Sequence, residues 1–69
     1  MTKEKVIAWL WSVSAGTMAQ IIGSTKYSVI DAACSKAILY ASSLPEAHYG
    51  DDFRLPEVWQ LVREANGLA

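Results

Sequence analysis

The chain has 69 residues, of which 52% are hydrophobic and 19% are charged, and its formal net charge is −1. This composition is typical of one globular domain and argues against disorder and against a general attraction to nucleic acid or anionic lipid. Because so short a domain buries only about 60% of its unfolded surface, and because its single cysteine, Cys34, excludes an internal disulfide and fits a reducing compartment, self-association is the expected extra source of stability.

Two short helices are predicted in the first third of the chain. Thr2 can cap a helix that begins near Lys3 and that residues 14–16 end. The buried stripe of this helix recurs at i, i+4 and i+7 and consists of Val6, Leu10 and Val13. A second helix is expected from about residue 17 to residue 22, closed by Gly23, since glycine readily takes the left-handed conformation that ends many helices.

The segment around this glycine has the spacing of a DNA-binding helix-turn-helix. Ala19, a small residue, lies four positions before Gly23, and the β-branched Val29 follows six positions after it. Ile22 and Ala32 match the two other buried positions of the motif. A small residue lets two helices approach and a glycine permits the sharp corner, so the middle of the chain is predicted to be helix-turn-helix-like.

The longest predicted helix covers residues 29–44, which contain neither proline nor glycine. Ser24, Thr25 or Ser28 is expected to cap it, and Pro45 to end it. A continuous half of its surface is apolar, which is typical of a helix that packs against two partners. This half consists of Val29, Ile30, Ala33, Cys34, Ala37, Ile38, Tyr40, Ala41 and Leu44.

Three alanines spaced four residues apart, Ala33, Ala37 and Ala41, lie along this apolar half. Such a row of small residues permits unusually close contact between helices. One interpretation is a central core helix inside one subunit. The other is the seam of a homodimer, and in a chain this small both can hold. The predicted dimer interface consists of Ile30, Ala33, Cys34, Ala37 and Ala41.

The last predicted helix follows a segment, residues 45–53, that has the composition of a loop. Pro56 suits the first turn of a helix, and Glu57 is favourably placed at its positive end. Its buried stripe consists of Val58, Leu61, Val62 and Ala65. With Asn66 and Gly67 as a stop, residues 1–69 are predicted to form a single all-α domain of three or four helices.

The polar chemistry that DNA recognition needs is sparse. A recognition helix over residues 24–35 would aim six side chains at the major groove: Thr25, Lys26, Tyr27, Ile30, Asp31 and Cys34. Only the first two suit base edges. Six Lys and Arg residues are outnumbered by seven Asp and Glu residues, and no face concentrates positive charge. Protein binding is therefore favoured, with a helix-turn-helix DNA-binding regulator as the alternative.

Catalytic and metal-binding patterns are also sparse. His48 is the only histidine, and no nucleophile motif pairs it with a serine or with Cys34. The spacing of His48, Asp51 and Asp52 matches neither a zinc signature nor a calcium loop. A glycine-rich phosphate loop does not occur either. The sequence therefore predicts a non-enzyme without a metal or cofactor.

Aromatic residues are more numerous than a small four-helix unit can bury fully. They are Trp9, Trp11, Tyr27, Tyr40, Tyr49, Phe53 and Trp59. Tryptophan, tyrosine and arginine are the side chains that most often anchor protein interfaces. From their positions, Tyr27, Tyr40 and Arg54 are predicted to contact a partner protein.

The whole chain resembles the small quorum-sensing anti-activators encoded by transposable temperate phages. The resemblance rests on the 69-residue length, the opening MTKEKVIAWLW, the helix-turn-helix-like middle and the acidic balance. It implies a homodimeric helical inhibitor made in the host cytoplasm early in infection. Such a protein disables the host quorum-sensing transcription activator, of the LuxR type, and inhibits the ATPase that drives pilus assembly, which excludes superinfecting phages.

The opening of the chain lacks the unbroken apolar run of a signal peptide. No segment reaches the roughly 18 consecutive apolar residues that a membrane-spanning helix requires. The sequence therefore predicts a cytoplasmic protein that does not insert into a membrane.

Overall fold

The computed structural model of the chain describes residues 2–45 and 56–68. This part of the chain contains four helices: α1 (Lys3–Ser12), α2 (Ala15–Ile22), α3 (Tyr27–Ser43) and α4 (Pro56–Ala65). The long α3 contacts each of the other three helices, and α2 also contacts α4. The predicted small all-α fold is confirmed, with α3 at its centre.

Side-chain caps determine where the first two helices begin. The Thr2 hydroxyl accepts from the Lys5 backbone N–H at 3.5 Å, as predicted for the start of α1. The Ser14 hydroxyl accepts from the Thr17 N–H at 3.2 Å and so caps α2. Residues 15 and 16, which were expected to end the first helix, therefore belong to the second.

The turn after α2 forms as the glycine predicts, but the start of α3 does not follow the predicted caps. Gly23 has φ of 73°, and its N–H donates to the Ala19 carbonyl at 2.8 Å. The prediction that a serine or threonine caps α3 is wrong, because Lys26 occupies the N-cap and makes no side-chain cap bond. The Ser24 hydroxyl instead accepts from the Lys26 N–H at 3.3 Å and stabilises the turn.

The core of the described residues is apolar and comes from all four helices. The predicted stripes of α1 and α4 point inward, although Val13 and Ala65 are only half-buried. The fully buried residues of α3 are all alanines, and their small size lets this one helix approach three neighbours. The buried residues are Val6, Leu10, Met18, Ile21, Ala33, Ala37, Ala41, Val58, Leu61 and Val62.

Two side chains fasten the ends of the helices to one another. Lys3 Nζ donates to the carbonyl of Leu44, the C-cap of α3, at 2.6 Å, where a cation also meets the negative end of the helix. Asn66 Nδ2 donates to the carbonyls of Ala33 at 3.2 Å and Val62 at 2.9 Å. These bonds hold the start of α1 against the end of α3, and the end of α4 against the middle of α3.

Two glycines in or beside α2 are expected to respond oppositely to alanine. Gly23→Ala should lower the free energy of unfolding by about 1 kcal/mol, since a side chain is strained at a φ of 73°. Gly16→Ala should raise it by up to about 0.5–1 kcal/mol, because Gly16 is helical and a Cβ there meets nothing within 4 Å. Urea unfolding of both variants measures the difference, and equal shifts of the same sign would contradict it.

Candidate functional site

The structure contains the turn that the helix-turn-helix pattern predicts, but it does not fully bury the residues that the pattern places inside. The turn at Gly23 joins two helices as predicted. However, Val29 is 42% exposed, Ala32 is exposed and Ile22 is half-buried, so the prediction that these three positions are buried is wrong. Val29 lies in the first turn of α3, where it borders a hollow and no side chain covers it completely.

Two hollows open on the surface of the described residues. The first has a volume of about 320 Å³, lies between α2, α3 and the residues after α4, and has no aromatic side chain among the described residues of its lining. The second has a volume of about 230 Å³, lies between α1, α2 and α3, and is named here the Trp11–Tyr27 hollow. The first is lined by Ile22, Ser28, Val29, Ala32, Ala33, Lys36, Asn66 and Leu68, and the second by Leu10, Trp11, Val13, Ser14, Ala15, Met18, Tyr27, Ile30, Asp31 and Cys34.

The Trp11–Tyr27 hollow combines exposed aromatic rings with an apolar floor. Trp11, near the end of α1, and Tyr27, the first residue of α3, are each 75% exposed. Leu10 and Met18 beneath them are almost completely buried. Exposed aromatic side chains around a depression are typical of protein-binding hot spots, so this hollow is the candidate functional site.

Cys34 lies in the lining of this hollow, but its thiol is not activated. Its Sγ donates to the Leu10 carbonyl at 3.0 Å. Burial, and to a smaller extent the nearby negative charge of Asp31, raises the pKa of the Cys34 thiol above its ordinary value. The thiol is therefore protonated at neutral pH, and the geometry favours a packing role over nucleophilic chemistry.

The raised pKa of Cys34 predicts a specific loss of stability at alkaline pH. Because the unfolded thiol loses its proton first, ionisation favours the unfolded chain, and the Cys34 contribution declines as pH rises from about 8.5 through the folded pKa. Unfolding free energies of the wild type and of Cys34→Ala, measured from pH 7 to pH 11, should converge toward the alkaline end. The two proteins differ at residue 34 alone, so parallel curves would contradict the prediction.

The three predicted partner-binding residues are placed differently. Tyr27 is exposed at the rim of the hollow, in the position that partner contact requires. Tyr40 is half-buried against the core, and its hydroxyl lies 3.5 Å from Glu64 Oε2 on α4, which leaves less of its ring accessible. Arg54 lies outside the described residues.

The predicted dimer interface divides into two groups. Ala33, Ala37 and Ala41 are between 0% and 3% exposed inside one chain, so a second copy could not reach them without opening the core. They occupy the core position that the sequence offered as the other interpretation. Ile30 and Cys34 are half-buried and line the Trp11–Tyr27 hollow, so the structure brings them together with Tyr27.

Two exposed apolar residues were missed as candidate contacts. Trp11 lies outside the stripe formed by Val6, Leu10 and Val13, and that position was the available signal of its exposure. Leu39 is 71% exposed and lies on α3 between Ser35 and Ser42, two members of its polar face. An apolar residue inside a polar stripe is a pattern that could have identified it.

Metal-binding and membrane-spanning features were searched in the described ranges. No group of three or more metal-ligating side chains occurs within residues 2–45 and 56–68. None of the helices described is long and apolar enough to cross a bilayer. His48, Asp51 and Asp52, considered above as cation ligands, lie outside the described residues.

Comparison with known proteins does not assign the chain to a family. No family model matches it, and no significant match was found among curated proteins or solved structures. The function is therefore inferred from the residues and their placement.

Proposed function

We propose that this chain is a small non-enzymatic inhibitor that acts by binding other proteins through the Trp11–Tyr27 hollow. The observation that carries the proposal is the pair of large aromatic side chains, each 75% exposed, that border one hollow. Exposed tryptophan and tyrosine are among the commonest interface anchors, and they contribute most binding energy where a pocket surrounds them.

The energetic gain from covering these two rings is large enough to support specific binding. A fully buried aromatic side chain removes about 150–250 Å² from water. At about 25 cal/mol per Å², covering the exposed three-quarters of Trp11 and of Tyr27 contributes roughly 3–5 kcal/mol each before the costs of association. Two such anchors can therefore supply much of the gross binding energy of a micromolar complex.

An inhibitor of this kind covers a surface of its target and does not need to catalyse a reaction. The protonated thiol of Cys34 agrees with this mode of action. The resemblance to phage anti-activators supplies two candidate partners, a LuxR-type quorum-sensing activator and a pilus-assembly ATPase. A homodimer would present two copies of the hollow and could engage both halves of a symmetric target, if the geometry allows simultaneous contact.

The proposal is tested by measuring binding of the purified chain to each candidate partner with single alanine variants. Trp11→Ala and Tyr27→Ala should each weaken binding by about tenfold or more. Leu39→Ala is the matched control, because this residue is similarly exposed at 71% but does not line the hollow. If both aromatic variants bound as tightly as the wild type while remaining folded, the hollow would not be the binding site.

Binding to DNA is the second candidate function, favoured by the turn at Gly23 between α2 and α3. It is tested by electrophoretic mobility shift with random duplex DNA at low salt, where non-specific phosphate contacts are strongest. The proposed protein binder should not retain the duplex. Retention that weakens with salt and with Lys26→Ala would instead favour a DNA-binding regulator.

A further inference from the structure

We infer that the Trp11–Tyr27 hollow receives an arginine side chain of the partner protein, held against the aromatic rings and the Asp31 carboxylate. This inference rests on the proposed function and adds the chemistry of the partner's anchoring residue. It draws on the charge, the aromatic content and the size of the hollow.

The charge of the hollow comes from one residue. Among the described residues that line it, Asp31 is the only one with a charged side chain, and it is exposed. It lies one helical turn after Tyr27 on α3, so both side chains project from the same face of the helix. Across residues 2–45 and 56–68, no hydrogen bond or ion pair engages this carboxylate, and Lys26, although adjacent to Tyr27, does not line the hollow. A carboxylate beside two aromatic rings, without a cationic partner among the described residues, is complementary to a cation of the partner protein.

The aromatic rings favour the same sign of charge. The face of a tryptophan or tyrosine ring carries negative electrostatic potential and attracts a cation placed over it. Arginine fits better than lysine, since its planar guanidinium stacks on an aromatic face and can donate two parallel hydrogen bonds to a carboxylate. Trp11, Tyr27 and Asp31 offer both kinds of contact around one opening.

The size and floor of the hollow indicate one side chain and not a small-molecule ligand. Its volume of about 230 Å³ is below the roughly 300–1,000 Å³ of typical small-molecule pockets. Leu10, Met18 and Ile30 give it an apolar floor, against which the methylene stem of an arginine or a neighbouring apolar residue can pack. An acidic segment is disfavoured because it would meet Asp31.

Selection of peptides from a displayed random library tests the inference without naming a partner in advance. The full chain is the immobilised target, and a Trp11→Ala, Tyr27→Ala double variant removes peptides that bind elsewhere. Peptides that depend on the hollow should be enriched in arginine next to an apolar residue. Enrichment of uncharged or acidic peptides, or no enrichment that depends on the hollow, would overturn the inference.

Two replacements that each remove a charge, one in a selected peptide and one in the chain, then test the contact between the arginine and Asp31. Replacing its arginine by citrulline, which keeps the shape but not the charge, should weaken binding by about tenfold, and Asp31→Asn should have a similar effect. When one replacement is already present, the other should weaken peptide binding only slightly, because both remove the same contact. Glu57→Gln, an exposed acidic residue on α4 outside the hollow, is the control and should leave binding unchanged.

Failure of this inference can be distinguished from failure of the proposed function. If the citrulline peptide bound as tightly as the arginine peptide while Trp11→Ala still weakened binding, the hollow would be a binding site without a preference for a cation. If Trp11→Ala and Tyr27→Ala left the binding of the candidate partner proteins unchanged, the proposed function would fail, whatever the peptides show.

Discussion

Leu10→Ala is expected to lower the free energy of unfolding by about 2–5 kcal/mol. Leu10 is 1% exposed and lies at the contact between α1 and α3, so its truncation leaves a cavity that the neighbouring helices cannot fill completely. A domain of this length has a total stability of roughly 3–10 kcal/mol, and the variant should therefore melt about 10–30 °C below the wild type or fail to fold. Thermal unfolding followed by circular dichroism measures the shift.

Leu39→Ala is the matched control for this prediction. It removes the same atoms from a side chain that is 71% exposed, so its effect should stay within about 0.5 kcal/mol of the wild type. If the two leucine variants melted at the same temperature, the placement of Leu10 in the core would be wrong.

Much of the fold could be predicted because periodic burial and local stop signals are properties of short segments. Val6 and Leu10 recur at the helical repeat and point inward in the structure. Gly23 and Pro45 mark helix ends because each restricts the backbone locally, through a left-handed conformation in one and a missing N–H in the other. These signals do not depend on how the rest of the chain folds and packs.

The burial of individual α3 residues was harder to predict, because it depends on which neighbours pack against each face. Val29 and Ala33 lie one turn apart on the same apolar half, yet the first is 42% exposed and the second 3%. Both residues border the first hollow, but the Ala33 carbonyl accepts from Asn66, so the end of α4 covers Ala33. A single sequence gives the width of an apolar face but not which part of it is covered.

The candidate site was only partly predictable for the same reason. Tyr27, Ile30 and Cys34 were each selected from their positions on one helix, and the structure places them in one hollow. Trp11 joins them from α1, and its inclusion depends on the angle at which α1 packs on α3, which periodicity does not specify. Asp31 was considered only as an obstacle to DNA binding, and its value for recognition depends on the aromatic rings beside it.

Ala37→Leu is expected to destabilise the chain by about 1–3 kcal/mol, or more if the helices cannot separate. Ala37 is 0% exposed where α3 runs closest to its neighbours, so the added carbons must displace side chains of the same chain. Urea unfolding should show this loss at every protein concentration, since the clash arises within one subunit. A role at a dimer seam would instead make the loss depend on concentration through weakened association.

Ala32→Leu is the control for this substitution, because it adds the same atoms to an exposed alanine on the same helix. Its unfolding free energy should remain within about 0.5 kcal/mol of the wild type. The comparison separates the effect of adding atoms at a buried position from the general effect of leucine on helix propensity, which is small. If Ala37→Leu were tolerated as well as Ala32→Leu, α3 could not lie as close to its three neighbours as the structure places it. If the loss of unfolding free energy in Ala37→Leu depended on protein concentration, it would instead indicate that Ala33, Ala37 and Ala41 lie at an interface between two subunits.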